Sequence, residues 1–319
     1  MEMSRWWMSA AVLTSVLWSV AAPAFSQVST ASITGTVSDE QGASVPQARL
    51  VLTNINTNVE LSTTTNDAGN YRFQNLTIGQ YVLSASAAGF TTKKLEAFRL
   101  QVGQVATLDF SLSVGSVTEA VTVAATAAQI QASTAELGTV IEQKQVVDLP
   151  LNGRNFTQLL LLQPGVNVAG IGGSQSLSYT RTLPGQTVYN PSVNGQNNRA
   201  NIYLLDGILN IETFGNAYAI PPIIDTIQEF KVQSHNDSSD IGMSSGGTIN
   251  VATKSGTNNF HGSVFEFLKN DAFNARNFFQ PTVPAFRANQ FGATAGGPVV
   301  IPKVYNGKNK TFVYGGYEG

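Results

Sequence analysis

The sequence has no cysteine and few charged residues. None of its 319 residues is Cys, and only 12% are charged, against about 25% in ordinary soluble domains. The absence of cysteine excludes disulfides, thiolate zinc sites and cysteine nucleophiles. With a net charge of -2 and no basic cluster longer than Lys93 and Lys94, the chain has no positive surface for a phosphate backbone. Nucleic acid is therefore not expected as a partner.

Long apolar runs are scarce too, and the one that stands out lies near the N-terminus. Arg5 precedes an apolar run over residues 6–22, which is followed by the small residues of an Ala-Phe-Ser sequence. This order is typical of a secretory signal peptide, so we assign residues 1–26 to one, with cleavage before Gln27. An uncleaved anchor is the alternative. Farther along, no stretch reaches the ~18 apolar residues of a membrane helix, so any membrane passage would use β-strands.

Residues 32–112 contain short runs that alternate apolar and polar residues and are separated by Gly-rich and Asn-rich turns. Such spacing predicts an antiparallel β-sandwich. In the last of these runs, Ala106, Leu108, Phe110 and Leu112 are expected to face the core.

Three segments of this region resemble the carboxypeptidase regulatory-like domain, a transthyretin-like sandwich: ITGTVSDEQGASVPQARLVLTN, TTTNDAGNYRF and GQYVLSASAAGF. The resemblance supports a domain over residues 27–114 and implies no catalytic residue. Related sandwiches include carbohydrate-binding ones, which use exposed aromatic residues. Here Tyr71, Phe73 and Tyr81 are expected in the core instead, so sugar binding is not favoured.

The composition changes after the sandwich. Residues 115–145 are rich in Ala, Thr, Val and Gln, and we predict a linker there. Next, Asn155 precedes an apolar cluster that stops at Pro164, a pattern that predicts one short amphipathic helix. Two strands are expected at residues 202–205 and 248–253. Another is expected at 230–234, after a helical turn.

Two segments are similar to the plug of TonB-dependent outer-membrane receptors, a domain that gates a β-barrel: VNGQNNRANIYLLDGILN and IDTIQEFKVQSHNDSSDIGMSSGGTINVATKSGTNNFHGSVFEF. Together with the sandwich, this resemblance indicates the Oar-like subgroup of that family. It implies an α+β plug domain over residues 146–255. The residues that match plug motifs are Arg154, Arg199, Asp206, Gly207, Gly246 and Gly247.

Three charged residues of these motifs have candidate roles. Arg154 and Arg199 are candidates to hold the plug against acidic side chains inside the barrel. The alternative for each is a surface arginine that binds local carbonyl groups. Asp206 is expected to cap its own turn with its carboxylate.

The C-terminal residues have the pattern of membrane barrel strands. A run at 260–269 has strand length, and in a second run Phe291, Ala293 and Ala295 share a face that suits lipid. The segments DAFNARNFF and FRANQFGATAGGPVVIPKVYNGKNKTFVYGGYEG also resemble the opening barrel strands of the same subgroup. We therefore assign residues 256–319 to the first strands of an incomplete barrel, and expect the complete receptor to continue beyond them because an open edge in hydrocarbon is costly.

Catalytic chemistry has little support in the sequence. The candidate bases His235 and His261 lie in no nucleophile motif, and both are expected to be solvated. Asp237 and Asp240 lack the spacing of a calcium loop, and no paired histidines suggest zinc. No glycine-rich phosphate loop joins a strand to a helix. We therefore assign no catalytic residue, metal or cofactor, and do not expect an enzyme.

The family resemblance implies TonB as a partner, which binds a short TonB box by adding it as a strand to its own sheet. The best candidate lies between sandwich and plug and contains no Gly or Pro to interrupt pairing. Its residues are Val117, Thr118, Glu119, Ala120, Val121, Thr122 and Val123. The alternative is a final sandwich strand or a plain linker.

Two classes of function remain for this mainly β chain. In the first, it is the N-terminal part of a TonB-dependent outer-membrane transporter, with outer-membrane lipid and an unknown transported ligand as partners. In the second, it is a secreted β-sandwich adhesin or carbohydrate-binding protein. The first is favoured, because an adhesin has no use for a plug followed by strands with one lipid-compatible face.

The signal assignment is tested by sequencing the N-terminus of the exported protein. We expect the mature chain to begin near Gln27, because the small residues before it suit the peptidase. Recovery of intact Met1 from the cell envelope would instead support the uncleaved anchor.

Overall fold

The computed structural model describes residues 31–115, 120–123, 131–132, 137–149, 151, 154–168, 191–212, 216, 218–235, 245–276 and 278–319. The predicted signal peptide and three residues of the box candidate, Val117, Thr118 and Glu119, lie outside this part. Within the described residues the fold is mainly β. No helix there is long and apolar enough to cross a membrane.

The N-terminal strands pack as a sandwich of two sheets. They are β1 (Ala31–Asp39), β2 (Arg49–Asn54), β3 (Glu60–Thr64), β4 (Asn70–Leu76), β5 (Gly79–Ser86), β6 (Thr92–Leu95), β7 (Phe98–Leu100), β8 (Val105–Thr107) and β9 (Phe110–Leu112). In one sheet β1 lies between β4 and β8 and also pairs with β9, and in the other the order is β6-β5-β2-β3. Two short strands, β10 (Ala120–Val123) and β11 (Gln131–Ala132), extend these sheets by pairing with β6 and β8.

The predicted inward face of the sandwich is confirmed. Ala106, Leu108, Phe110 and Leu112 are buried in one apolar core. The run is not one strand, however, because the Asp109 carboxylate accepts hydrogen bonds from the backbone N–H and hydroxyl of Thr36, at 2.7 and 2.8 Å. These bonds take the place of ladder bonds and separate β8 from β9. The three aromatic residues expected in the core, Tyr71, Phe73 and Tyr81, are buried there.

A second unit, which we call the central unit, follows the sandwich. Its elements are β12 (Leu137–Glu142), α1 (Gln143–Asp148), the 3-10 helix η1 (Phe156–Leu162), β13 (Val166–Val168), β14 (Pro191–Val193), β15 (Ile202–Leu205), β16 (Ile208–Leu209), the 3-10 helix η2 (Ile224–Thr226), β17 (Ile227–His235) and β18 (Thr248–Thr253). Its main sheet has the order β12-β17-β18-β15-β16. One side of this sheet carries a separate apolar core, to which Phe156, Tyr203 and Phe230 belong.

The start of the central unit differs from the prediction of a linker over residues 115–145. β12 pairs antiparallel with β17 along its whole length, and α1 follows it directly. The helix begins with a reciprocal capping box between Glu142 and Gln145. The strand was missed because its stability comes from a partner about 90 residues later in the chain, which local composition does not reveal.

The helix predicted after Asn155 is present but has 3-10 geometry. The Asn155 carboxamide accepts from the backbone N–H of Thr157 at 2.9 Å, so Asn155 is the N-cap of this helix. Three buried side chains, Phe156, Leu159 and Leu160, anchor the turn on the core. The predicted strands at 202–205, 230–234 and 248–253 are all present.

The C-terminal residues form a three-stranded antiparallel sheet. It contains β19 (His261–Asn270), β20 (Arg287–Pro298) and β23 (Phe312–Glu318), with the 3-10 helix η3 (Asp271–Phe273) after β19 and a small hairpin of β21 (Val300–Ile301) and β22 (Tyr305–Asn306) between β20 and β23. The expected alternation is confirmed on β20, since Phe291 is 48% exposed and Thr294 only 5%. Ala293 and Ala295 share the exposed face with Phe291.

Two leucines of the sandwich that differ in burial provide a matched test of its stability. Leu83 on β5 is fully buried, whereas Leu61 on β3 is 43% exposed. Leu83→Ala is expected to cost about 2–5 kcal/mol because it leaves a cavity, and Leu61→Ala about 1 kcal/mol. Hydrogen exchange of the β5 amides measures both. Equal losses for the two variants would contradict the assigned core.

Candidate functional site

Arg154 is the most constrained charged residue at the boundary between the central unit and the C-terminal strands. Its side chain is 11% exposed and forms an ion pair with Asp225, whose side chain is 9% exposed. Arg154 lies just before η1, with its backbone in the left-handed region at φ 49°. Asp225 belongs to η2, so the ion pair joins two turns that lie 71 residues apart in the chain.

Two aromatic rings of the first C-terminal strand enclose the same guanidinium group. The Arg154 Cζ atom lies 4.3 Å from the ring centroid of Phe265 and 4.3 Å from that of Phe267. Phe265 and Phe267 are two positions apart on β19, so their rings are on one face of the strand. Contact with an aromatic face stabilises a cation, more so where water is excluded. We call Arg154, Asp225, Phe265 and Phe267 the arginine clasp.

The third C-terminal strand touches the same turn. The Tyr314 hydroxyl of β23 donates to the backbone carbonyl of Asp225 at 3.5 Å. A side chain at Gly316 would come within 2.8 Å of the Thr226 methyl group, so the strand approaches η2 closely at that position. The clasp is therefore one part of a contact in which Arg154 meets β19 and η2 meets β23.

A second cation lies near the clasp. The pKa of Lys254 is lowered by burial, and the nearby Asp225 carboxylate acts in the opposite direction. The Lys254 backbone N–H donates to the carbonyl of Thr226 at 2.8 Å, which fixes the residue beside η2. Asp225 thus balances two cations in a partly desolvated region.

Arg199, the other arginine candidate, is placed differently. Its side chain is exposed, and within the described residues it makes no hydrogen bond or ion pair. Only its backbone takes part, accepting from Asn216 and donating to Asn197. The structure therefore places Arg154 at the boundary with the barrel-like strands and leaves Arg199 on the surface. The partner of Arg154 is also an acid of the central unit itself, not of the C-terminal strands.

Asp206 does not cap its own turn, contrary to the expectation from sequence. Its carboxylate accepts from the backbone N–H and the hydroxyl of Thr253, both at 2.8 Å. The turn forms from backbone geometry, since Asp206 and Gly207 have φ of 50° and 79° and connect β15 to β16. The carboxylate is thus free to fasten the end of β18, 47 residues away.

Gly246 and Gly247 pack tightly around a buried amide that sequence reasoning missed. Asn201 is 1% exposed, donates to the Pro191 carbonyl at 2.6 Å and accepts from the Gly247 N–H at 3.0 Å. A Cβ on Gly246 would lie 2.5 Å from the Asn201 Oδ1 atom, and one on Gly247 2.9 Å from Val193. Both glycines are therefore required by close packing.

The described part of the box candidate is paired in this structure. The backbone of Ala120, Val121, Thr122 and Val123 runs parallel to β6, with Val121 opposite Lys93. This pairing is the one expected if the segment is not a TonB box but a final strand of the sandwich. A TonB box at this position would therefore have to leave the edge of the sandwich before it could bind.

Three residues of this site were not singled out from the sequence. Asp225, Phe265 and Phe267 lie within a plug-like segment, but no local pattern marks them as partners of Arg154, and only the tertiary fold brings them to it. One available signal was the scarcity of charge, since a lone carboxylate after two prolines in a Pro-Pro-Ile-Ile-Asp sequence is a candidate partner for a buried cation.

The described part of the chain has no group of three His, Cys, Asp or Glu side chains arranged to hold a metal ion. His261 is exposed, and its ring stacks on that of Tyr314 at 5.4 Å between centroids. The side chain of His235 lies outside the described side chains.

Comparison with known families agrees with the order of these units. Residues 32–113 match the carboxypeptidase regulatory-like domain, and residues 252–319 match the outer membrane beta barrel domain. Over 292 residues the chain is 26% identical to the TonB-dependent transporter Oar of Myxococcus xanthus. The chain is thus similar to a TonB-dependent transporter over most of its length. The barrel match and this relationship place the protein in the outer membrane.

The chain spans only part of that relative. The alignment covers 88% of this chain and 26% of Oar, so it matches about a quarter of the length of this curated relative. Among solved structures, the siderophore receptor PirA of Acinetobacter baumannii is 20% identical over 57% of this chain and 24% of PirA, with a TM-score of 0.39. The TIE protein of Bacillus anthracis is 23% identical over 27% of this chain and 16% of TIE, with a TM-score of 0.23. Neither score is high enough to bear on function.

The two arginines give a matched test of the clasp in this receptor-related chain. Arg154→Ala leaves Asp225 buried without its partner and is expected to cost about 3–5 kcal/mol. Arg199→Ala removes an exposed arginine and is expected to change stability by about 0.5 kcal/mol or less. Native-state hydrogen exchange of β17 and β18 reports both effects. Similar protection in the two variants would show that the clasp does not hold the central unit.

Proposed function

We propose that this chain is the N-terminal part of a TonB-dependent outer-membrane transporter, in which the central unit is the plug that gates the barrel. The arginine clasp is the observation that carries this proposal. It seats a compact α+β unit against the strands that match an outer membrane barrel domain.

The chemistry of the clasp suits a plug that must be both seated and removable. Arg154 is held by one carboxylate of its own unit and by two rings of β19. The ion pair therefore travels with the plug, whereas the contacts of Arg154 with the rings are broken when the plug moves. A cation on an aromatic face contributes about 0.5–2 kcal/mol, depending on solvent access. A contact of this strength holds the plug in place but can be broken when the plug moves.

The proposed organisation follows the chain. Residues 27–114 form the periplasmic sandwich, 115–145 the connecting arm with the candidate box, 146–255 the plug, and 256–319 the first barrel strands. The structure supports an earlier start of the plug sheet, at Leu137, because β12 is its edge strand. An adhesin or sugar-binding sandwich would account for the first of these units only. No enzymatic role is proposed.

The membrane partner follows from the exposed face of the C-terminal sheet. Phe291, Ala293 and Ala295 project from one side of β20 and are the apolar, lipid-facing side of a barrel wall in this proposal. The opposite side of the sheet, with Thr294 and Phe265, faces the plug. The transported ligand is a further partner, and its recognition is assigned to extracellular loops.

Coupling to TonB is assigned to residues Val117 to Val123. TonB adds such a segment as a strand to its sheet, so backbone hydrogen bonds supply the affinity. In this structure the second half of the segment is already paired with β6. That pairing shows that its backbone can adopt the extended geometry that strand addition requires.

Proline substitution tests the coupling assignment. Val121→Pro removes a backbone donor from the middle of the segment and is expected to weaken binding of the purified periplasmic domain of TonB at least about tenfold. Energy-dependent uptake by the complete receptor should fall with it. Ala128→Pro, in the same arm but outside the segment, is the matched control and should bind normally.

The outcomes separate the alternatives. Unchanged TonB binding by Val121→Pro would reject residues 117–123 as the coupling site. A collapse of receptor abundance, or loss of hydrogen-exchange protection in β6, would support the alternative in which the segment is a structural strand of the sandwich.

A further inference from the structure

The sandwich and the central unit share a buried carboxylate. Glu229 on β17 has no exposed side-chain surface, yet its two carboxylate oxygens bind groups of the sandwich. Oε1 accepts from the backbone N–H of Val102 at 2.6 Å, and Oε2 accepts from Arg99 at 2.7 Å. Burial raises the pKa of Glu229, while the bonds from Val102 and Arg99 oppose that effect. Two hydrogen bonds from another domain therefore keep this acid satisfied.

Neighbouring contacts extend the same interface across two strands of the central sheet. Arg99 also pairs with Glu142, the last residue of β12, at 3.4 Å. Lys231, two residues after Glu229, donates to the carbonyl of Gly103 at 3.3 Å. One short region of the sandwich, from Arg99 to Gly103, thus contacts both β12 and β17.

Loss of Arg99 or Val102 as a partner, while the sandwich still covers Glu229, would leave this carboxylate in an unfavourable position. A buried charge that loses its partner is destabilised by several kcal/mol unless water replaces the lost bonds. A domain tethered only by a flexible linker would not need a fully buried acid at its contact surface.

A second contact joins the sandwich to the beginnings of the barrel strands. The Asn258 N–H, just before β19, donates to the Asn56 carbonyl of the sandwich at 3.0 Å. Asn258 and Asn309 exchange hydrogen bonds of 2.6 and 2.8 Å between β19 and the turn before β23. Asn58 of the sandwich reaches the same Asn309 side chain at 3.3 Å.

We propose that the sandwich is a clamp that ties the plug sheet to the first barrel turns and must be released before the plug can move. The proposal rests on the proposed function, since it takes the central unit as the plug. The clamp has two jaws. The plug jaw consists of Arg99, Val102 and Gly103 and contacts the central unit. The barrel jaw consists of Asn56 and Asn58 and contacts Asn258 and Asn309 beside the barrel strands.

The topology connects this clamp to the arm on which TonB would pull. The arm enters the central unit at β12, which is the edge strand of the plug sheet. Glu142 of β12 lies opposite Glu229 of β17, and Arg99 binds both. Within the central unit, force on the arm therefore acts first on β12. The last residue of this strand, Glu142, binds Arg99 of the clamp. Peeling β12 from β17 would also withdraw Glu142 from Arg99 and admit water to Glu229.

The first experiment weakens the plug jaw in the complete receptor. Purified receptor is inserted in planar lipid bilayers, and conductance is recorded while urea is added on the periplasmic side, so no transported ligand is needed. Arg99→Ala and Glu229→Gln should open the pore at lower urea, with a roughly tenfold larger open fraction at the wild-type midpoint. Arg72→Ala, which removes an exposed arginine from β4 of the same sandwich, is the matched control.

The second experiment fastens the barrel jaw. Because the 319 residues contain no cysteine, the pair Asn56→Cys and Asn258→Cys introduces the only thiols of these residues, at positions joined by a backbone hydrogen bond. Oxidation should shift opening to higher urea, and reduction should restore the wild-type midpoint. The pair Val51→Cys and Ser62→Cys, which are opposite each other on β2 and β3, cross-links the sandwich internally and should not shift the midpoint.

The outcomes decide the proposal independently of energy coupling. If Arg99→Ala, Glu229→Gln and the oxidised Asn56–Asn258 pair all open at the wild-type urea concentration, the sandwich is not a clamp. If these shifts occur as expected but Val121→Pro leaves TonB binding unchanged, the clamp stands and the coupling assignment fails. Opening of the internally cross-linked control at higher urea would also overturn the clamp, because stiffening of the sandwich alone would then explain the effect.

Discussion

Burial of charge at the boundaries between units is the constraint on which the rest of this structure depends. The sandwich and the central unit each have their own apolar core, and each could bury most of its hydrophobic surface without the other. Two buried carboxylates, Asp225 and Glu229, lie at the boundaries of the central unit, four residues apart in the chain. Each must be paired because an isolated buried carboxylate is unstable. Asp225 is paired within the central unit beside the C-terminal strands, and Glu229 is paired by the sandwich.

The boundaries between the units differ from the apolar cores in the kind of contact they contain. Leu83 and Tyr203 lie in interiors that are expensive to open, because apolar surface would return to water. The boundaries contain an arginine against two aromatic rings, amide pairs and carboxylate hydrogen bonds, and water can replace these polar contacts when the surfaces separate. Domain contacts of this polar kind are typical of units that move relative to each other. The fold therefore combines rigid units with separable contacts.

Sheet edges supply the other organising feature. β12 is the edge of the central sheet, and β10 is the edge that extends the sandwich sheet. Edge strands are the parts of a sheet that can be exchanged for another strand or peeled away with the fewest broken bonds. The arm of the chain joins these two edges, so a single segment gives access to both units. This arrangement suits a chain through which one partner is proposed to act on a plug.

The sequence by itself determined the units that depend on local patterning. Alternation was sufficient to locate the buried face at Ala106 to Leu112 and the exposed face of β20, because period-two patterns fix which side of a strand meets water. Turn chemistry located the Asp206-Gly207 hairpin, since both residues tolerate positive φ. Motif resemblance indicated the sandwich and the barrel strands, and the family comparisons confirmed both.

Only the tertiary structure decided which distant residues meet. β12 was missed because its pairing partner lies far along the chain, and Asp206 was given a local role although its carboxylate fastens Thr253. The partners of Arg154 and Glu229 come from separate elements, and no local pattern encodes such pairs. The physical reason is that a buried charge is stabilised by whatever group the fold brings within hydrogen-bonding distance, whereas alternation and turns depend on residues adjacent in sequence.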